Sequence, residues 1–387
     1  MTQNAKSVSD VSSKPIIFYV LSIPLLFYYY FGEFRVVTGI VYLAAILVFI
    51  HSLGIFGRIR SIQVYVVLAF VFLMVISLTT FTSIVPALLA LRLNFGSLIL
   101  ILAFSFIRVP NINQFVVFLS IWTLGEFFLI RLEPSLIYTL PNYDDSFKSY
   151  QLDSIFGGVH SFGGNRTVTA VILLALYAFL EATQPKRKYR YLPLIACIFT
   201  ASGTAYALLF IYLLIKHLRS AWIFILVAMV LGFILFYQNN DAALIEKFSW
   251  TYIAYLWDFK YQQILLYWDM TDTYGVIFGL GSKALLTASS EAAGYGSAFG
   301  DFIFLDFFAR FGLLGLIILL IIPIVFARNQ VRFPIWIMFI GTLHYHVLFS
   351  SAGQVVIAYL VIVGIKNTPL MAYWPKLLSK NSITVRC

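Results

Sequence analysis

The sequence predicts an all-α fold, a polytopic bundle of membrane helices, and three observations carry that expectation. Of the 387 residues, 61% are hydrophobic and 11% are charged, against roughly 25% charged in soluble globular domains. Mean hydropathy is +0.92. The apolar residues fall into runs of about 20, the length that crosses a bilayer as a helix. Backbone groups in lipid must be satisfied within their own segment, so such open runs read as helices and not as strands.

With the N-terminus on the cytoplasmic side, helices are expected near 15–32, 36–56, 62–82, 84–107, 114–131 and 167–183. Lys6 and Lys14 precede the first run and no small-residue cleavage site follows it, so it reads as a retained helix. After the basic stretch KRKYR come two half-length runs, 191–201 and 204–216, on either side of the tripeptide ASG. Each is short for a span; they are either two short helices meeting at a turn or one broken helix. Runs near 220–237, 302–326, 334–350 and 353–366 bring the total to about twelve spans. The domain reading is a cytoplasmic tail at 1–14, one transmembrane domain at 15–366, and a second cytoplasmic tail at 367–387.

The net charge of +10 points to topology and not to nucleic acid, because the basic residues are placed in short clusters between the apolar runs. These clusters are Arg58 and Arg60, Arg108, Lys186 to Arg190, Lys216 and Arg219, Arg328 and Arg332, and the C-terminal Lys366, Lys376, Lys380 and Arg386. By the positive-inside rule they are cytoplasmic. All acidic residues except Asp10 and Glu181 then fall in outer loops or within helices. Cys197 and Cys387 provide no disulfide framework.

Two long segments face outward, 132–166 and 238–301, and loops of that length usually carry a function. The second contains SWTYIAYLWDFKYQQILLYWDM, in which Trp250, Trp257, Tyr261 and Trp268 share one helix face. Such a stripe suits either stacking on sugar rings or lying at headgroup level.

Charges within membrane helices usually face protein or water and mark function. They are Arg92, Glu126, Asp306 and Arg310, with Arg131, Arg166 and Asp301 at outer helix ends and His344 and His346 in the eleventh span. Asp306 and Arg310 are four apart and can pair on one face. Asp301 stands at a helix mouth, where it either caps free amides or serves as an exposed base. Arg166, after FGG and at a helix start, suits a phosphate or snorkels at the headgroup boundary. HYH places its two histidines on different helix faces, and no HExxH, CxxC, P-loop or GxSxG pattern occurs. No metal site is expected.

The stretch VIFGLGSKALLTASSEAAGYGSAFGDFIFLDFFARFGLLG, residues 276–315, resembles the O-antigen polymerase and O-antigen ligase families of bacterial polysaccharide assembly. The weaker segments GGNRTVTA and FTASGTAYALL extend the likeness. Ligases carry a His-Asn pair eleven residues ahead of the glycine opening GLLG, where this chain has Asp301 and Phe302; polymerases often carry Asp at such a point. Many members have an arginine where this chain has Gly203.

The resemblance implies a metal-independent, cofactor-free glycosyltransferase in the bacterial cytoplasmic membrane, with both termini cytoplasmic. It would move a growing glycan from undecaprenyl pyrophosphate to a lipid-linked repeat unit on the outer face. Asp301 would be the base, with His344 the second choice. Arg166 would hold the diphosphate, helped by Lys247, Lys260 or Arg310. Asp306 and Trp257 complete the substrate-binding set. The expected partners are undecaprenyl-pyrophosphate-linked glycans and membrane lipids, with a chain-length regulator and a flippase in the same assembly route, and no nucleic acid. The alternatives are an O-antigen ligase and a lipid-linked oligosaccharide flippase or other transporter.

Overall fold

A computed structural model of the chain describes residues 15–30, 34–56, 61–81, 83–138, 158–216, 250–284, 303–326, 329–343 and 345–366. Among these residues there are thirteen α-helices, joined by short 3-10 turns, and no strand. The helices are α1 (Ile16–Leu26), α2 (Phe34–Phe56), α3 (Ser61–Thr80), α4 (Ile84–Phe104), α5 (Ile112–Leu132), α6 (Arg166–Thr183), α7 (Tyr191–Phe199), α8 (Gly203–Lys216), α9 (Trp250–Met270), α10 (Thr273–Phe278), α11 (Ile303–Phe326), α12 (Asn329–Thr342) and α13 (Ser351–Lys366). By length and composition, four stretches among the described residues, in α3, α4, α5 and α6, are long and apolar enough to cross a membrane.

The all-helical expectation holds, with local corrections. α1 ends at Leu26 and gives way to a 3-10 turn at Tyr28–Tyr30. The last spans are shifted: α12 starts at Asn329 and stops at Thr342, so 345–350 form turns where a helix was expected. The expected helix at 220–237 lies outside the described residues. The long segment 238–301 is not all loop, because it contains α9 and α10.

α6 and α13 form the centre. Val168 to Leu176 are fully buried, and so are most of Ala352 to Val361. At one end of the bundle an aromatic node ties four helices. The ring of Phe18 lies 4.8 Å from Phe104, and Phe115 lies 4.5 Å from Tyr359, whose hydroxyl donates to the Pro110 carbonyl at 3.0 Å. That end also carries Arg108, Lys186 to Lys188, Arg190 and Lys216. The opposite end gathers the 3-10 turn at 28–30, the α3–α4 corner, residues 158–165, the α7–α8 turn and residues 279–284.

The two half-length runs are two helices in a hairpin. Ala201, in the left-handed region at φ 50°, turns the chain back between α7 and α8. α8 then lies along α6, pinned at both ends. Ser202 donates to the Thr167 hydroxyl at 3.1 Å, and Lys216 pairs with Glu181. Those anchors are 14 residues apart on each helix, about 21 Å at 1.5 Å per residue.

Two helices bend, and the bends face each other. α4 breaks at Phe95 (φ −124°, ψ 16°) and α11 at Gly312 (φ 60°, ψ −165°). Phe95 packs on Phe307 and Phe311 with ring centroids 5.6 and 4.9 Å apart. Gly312 adopts a backbone conformation that only glycine tolerates. A side chain there would also meet the Gly279 nitrogen and the Ile277 oxygen at 2.5 Å. The Leu280 amide donates to the Ala309 carbonyl at 2.6 Å, so the segment GLG is seated directly on the bend.

Gly312→Ala is therefore expected to cost about 1–3 kcal/mol from backbone strain alone, read as a lowered unfolding midpoint in detergent. Gly125→Ala is the contrast: it lies inside α5 with nothing near its missing Cβ, and should raise stability by about 0.5–1 kcal/mol. Equal midpoints for both variants would contradict the tight joint at 312.

Candidate functional site

Polar and charged side chains collect at the loop-rich end, in three clusters. The first surrounds residues 158–165, which enter the bundle although they have no regular helix before Ser161. His160, Ser161 and Phe162 are all buried. A buried loop needs partners for its backbone groups, and side chains from neighbouring helices supply them. Glu126 of α5 accepts from the Ser161 amide at 3.2 Å and from the Tyr30 hydroxyl. Thr169 of α6 accepts from the Gly163 amide at 3.0 Å, and its hydroxyl donates to the His160 carbonyl. Thr123 and Ser161 share a hydroxyl bond of 2.9 Å. Ser161 is held at φ 53°, an uncommon region for a residue with a side chain. Tyr29 covers Gly164 so closely that no Cβ would fit.

This loop delivers Arg166. The Asn165 side chain accepts from the Thr167 amide at 2.8 Å and so caps α6, which starts with Arg166 itself. Arg166 is half-buried and close enough to Tyr206 of α8 to act on it electrostatically. The FGGNR stretch thus folds as a capped helix start, with a guanidinium at the positive end of the helix dipole.

The second cluster is a small polar cavity two turns into the bundle. It is lined by Thr38 and Tyr42 of α2, Arg92 and Leu93 of α4, and Phe349, Ser351 and Gln354. Gln354 repairs the bend in α4, since its amide donates to the Leu93 carbonyl at 2.6 Å while its oxygen accepts from Tyr42.

The third cluster is the expected pair on α11. Arg310 Nε donates to Asp306 Oδ1 at 3.0 Å, with Arg310 4% exposed. The bundle side of α11 is aromatic: Phe307 stacks on Phe349 at 4.9 Å and 13°. Phe95, Phe307, Phe311 and Phe349 thus form a wall behind the pair, and Phe349 also lines the Arg92 cavity.

α9 lies beside α11. Tyr267 is buried among Leu280, Ala284, Leu305 and Ala309, and its ring is 5.7 Å from Phe308. Burial raises the Tyr267 phenol above its ordinary pKa, with a smaller opposing effect from Thr271. Lys260 is half-buried, 6.0 Å from the Phe259 ring centre, and Trp257 is 77% exposed.

Of the residues singled out from the sequence, Asp301, His344 and Lys247 lie outside the described residues. Asp306 and Arg310 pair as expected. Arg166 and Arg92 stand at the same end of the bundle as that pair. His346 lies in the turn after α12 and not on a helix face. Sequence reasoning missed Tyr30, Tyr42, His160 and Gln354. Their signal was weak: a polar residue inside or beside an apolar run. Among the described residues, no group of three or more His, Cys, Asp or Glu is placed to hold a metal ion.

In comparisons with known proteins the chain matches no family model, no curated sequence and no solved structure.

Glu126 should control the order of 158–165. A hydrogen bond to a charged group contributes about 1.5–3 kcal/mol, so Glu126→Ala is expected to speed amide exchange across 158–165 by at least about tenfold. Tyr30→Phe, which keeps the carboxylate, should do less. Unaltered exchange in Glu126→Ala would mean the loop is held without it.

Proposed function

We propose that this chain is a membrane-embedded polymerase of lipid-linked oligosaccharide repeat units. The reading takes about twelve membrane spans, with the basic end of the bundle cytoplasmic and the loop-rich end outward. Arg108, Lys186 to Lys188, Arg190 and Lys216 gather at one end, in line with the positive-inside rule.

The observation that carries the proposal is the gathering of Arg92, Arg166 and Arg310 at the loop-rich end, in or beside apolar helices. A polyprenyl diphosphate donor demands this combination: a lipid-accessible apolar wall for the carrier and cations for the diphosphate that leaves. The acceptor sugar hydroxyl attacks the anomeric carbon of the donor glycan. A carboxylate takes the hydroxyl proton as the new glycosidic bond forms, and the bond from anomeric carbon to diphosphate oxygen breaks. Asp301 is assigned the base, with His344 in reserve. Arg166 receives the developing diphosphate charge, assisted by Arg310, Lys247 or Lys260. Asp306 orients Arg310 through the bond at 3.0 Å, which makes it a positioning residue. The protein assignments require no metal, because guanidinium and ammonium groups supply the leaving-group charge.

The family likeness rests on 276–315, and the backbone arrangement gives its glycines a physical role. GLG at 279–281 and Gly312 meet at the bend that separates Arg310 from the apolar remainder of α11. Lipid-linked glycans and bilayer lipids are the partners on this reading, with a flippase supplying substrate and a chain-length regulator acting on the product.

A second reading is favoured by the facing bends at Phe95 and Gly312. Transporters build substrate sites from interrupted helices, so a lipid-linked oligosaccharide flippase is the competing function. A deletion strain separates the two. Loss of a polymerase leaves surface glycan with a single repeat, whereas loss of a flippase leaves lipid-linked single units on the cytoplasmic side. A ligase mutant would show bare acceptor and accumulated lipid-linked polymer. Arg166→Ala and Asp301→Asn should insert normally and abolish chain extension. Unchanged ladders in both variants would remove the assigned roles.

A further inference from the structure

α9 has three faces, set by the period of the helix. Its bundle-facing side carries the buried Gln263 and Tyr267 and the half-buried Lys260. Next comes an aromatic stripe: Trp257, Tyr261 and Trp268 fall within about 40° of arc and are 77%, 50% and 59% exposed. Each of the three is followed in sequence by a polar side chain, giving Trp257–Asp258, Tyr261–Gln262 and Trp268–Asp269. The followers lie about 100° further round, so Asp258, Gln262 and Asp269 make a second exposed stripe parallel to the first. Gln262 Nε2 lies 3.5 Å from Asp258 Oδ1, which keeps those two side chains on the same strip of surface.

We infer that this double stripe is a binding rail for an extended oligosaccharide, holding the glycan beside the mouth of α11. A pyranose ring has an apolar C–H face and a rim of hydroxyls. Aromatic rings spaced along a helix accept the faces, and carboxylate and amide oxygens beside them accept hydrogen bonds from the rims. From Trp257 to Trp268 the rail runs about 16 Å, enough for several sugar rings. Its far end is moored by Tyr267 against Leu305, Phe308 and Ala309 of α11, the same turns that bear Asp306 and Arg310.

Charge selects the occupant. Helices that rest on membranes carry Lys and Arg on the polar face to meet anionic headgroups. The polar stripe here carries Asp258 and Asp269, which anionic lipid repels, and the one basic residue of α9, Lys260, faces the bundle side. A neutral polyhydroxyl chain fits both stripes at once. The rail's role in chain extension rests on the polymerase reading, whereas the binding itself does not.

The test uses the purified full chain in phosphatidylcholine nanodiscs, titrated with oligosaccharides released by mild acid from the producing cell's own surface polysaccharide. Tryptophan fluorescence should change saturably, and Trp257→Ala and Trp268→Ala should each weaken binding at least tenfold. Trp336→Phe, on α12, should bind as the parent does. All three variants should retain the parental unfolding midpoint, since Trp257 and Trp268 are exposed. Equal affinity in parent and rail variants overturns the inference. So does strong quenching of these tryptophans by brominated lipid without any saccharide response, which would make α9 a membrane-surface helix. Because binding is read without polymer formation, a deletion strain that keeps a normal ladder would sink the polymerase reading and leave this result standing.

Discussion

The arrangement depends on one constraint: wherever a helix of this apolar bundle is interrupted, a polar group from another segment must take over the main-chain hydrogen bonds that the interruption frees. Unsatisfied peptide groups in an apolar interior are costly, and the interruptions here are deep. Gln354 of α13 serves the Leu93 carbonyl at the bend of α4. Thr169 of α6 and Glu126 of α5 serve the loop that runs through His160 and Ser161. The Leu280 amide, from outside the helix, serves the Ala309 carbonyl just before the bend of α11. Apart from Thr169, which is local to the loop it serves, these repairs join elements distant in sequence, so the interruptions also stitch the bundle together at its loop-rich end.

That constraint explains why the polar residues are where they are. A side chain that repairs a bend must be polar and must be buried, and once several have been brought together they create surroundings in which a guanidinium can be tolerated. Arg92 shares its cavity with Tyr42, Ser351 and Gln354, and two of those three belong to the repair of α4 or the start of α13. Arg310 meets Asp306 one turn before the bend at Gly312. The opposite end has fewer interruptions and is held by the aromatic node of Phe18, Phe104, Phe115 and Tyr359. One end is therefore built for packing and the other is polar enough for chemistry.

Helix type and approximate position were legible because hydrophobic run length is a strong signal. The Asp306–Arg310 pair was legible because its spacing is local. The interruptions were not. Phe95 stands between Asn94 and Gly96 in the stretch RLNFGS, inside a span whose run length reads as one continuous helix, and neither neighbour alone announces a bend. The bend follows instead from Gly96, which lies against Gln354 and Tyr42 with no room for a Cβ, and those contacts are 258 and 54 positions away in sequence. The end of α12 was misplaced for a related reason. The run length carries a helix on to 350, but over 345–350 the chain turns, and the Leu348 amide reaches the Thr342 hydroxyl. Propensity gave way to tertiary hydrogen bonding. His160 was passed over because its burial comes from a loop folded inward, and loops are expected at the surface.

The packing around the two bends also bears on how the molecule works. Alternating access requires one part of a bundle to rock against another about a hinge, and the facing bends in α4 and α11 are the natural place for it. Yet the space between them is filled by Phe95, Phe307, Phe311 and Phe349, interlocked edge-to-face and stacked. Phe307 and Phe311 are buried to within 1% of full enclosure. Sliding α11 along α4 would separate rings whose contacts are individually worth about 0.5–1.5 kcal/mol beyond their buried area. It would also pull GLG away from Gly312, where backbone touches backbone. Such a joint resists motion, and it fixes Arg310 relative to Gly279. The polymerase proposed above fits such a joint better than a flippase does, because a rigid cation meets a leaving group in one geometry whereas alternating access must release its cargo on the other side.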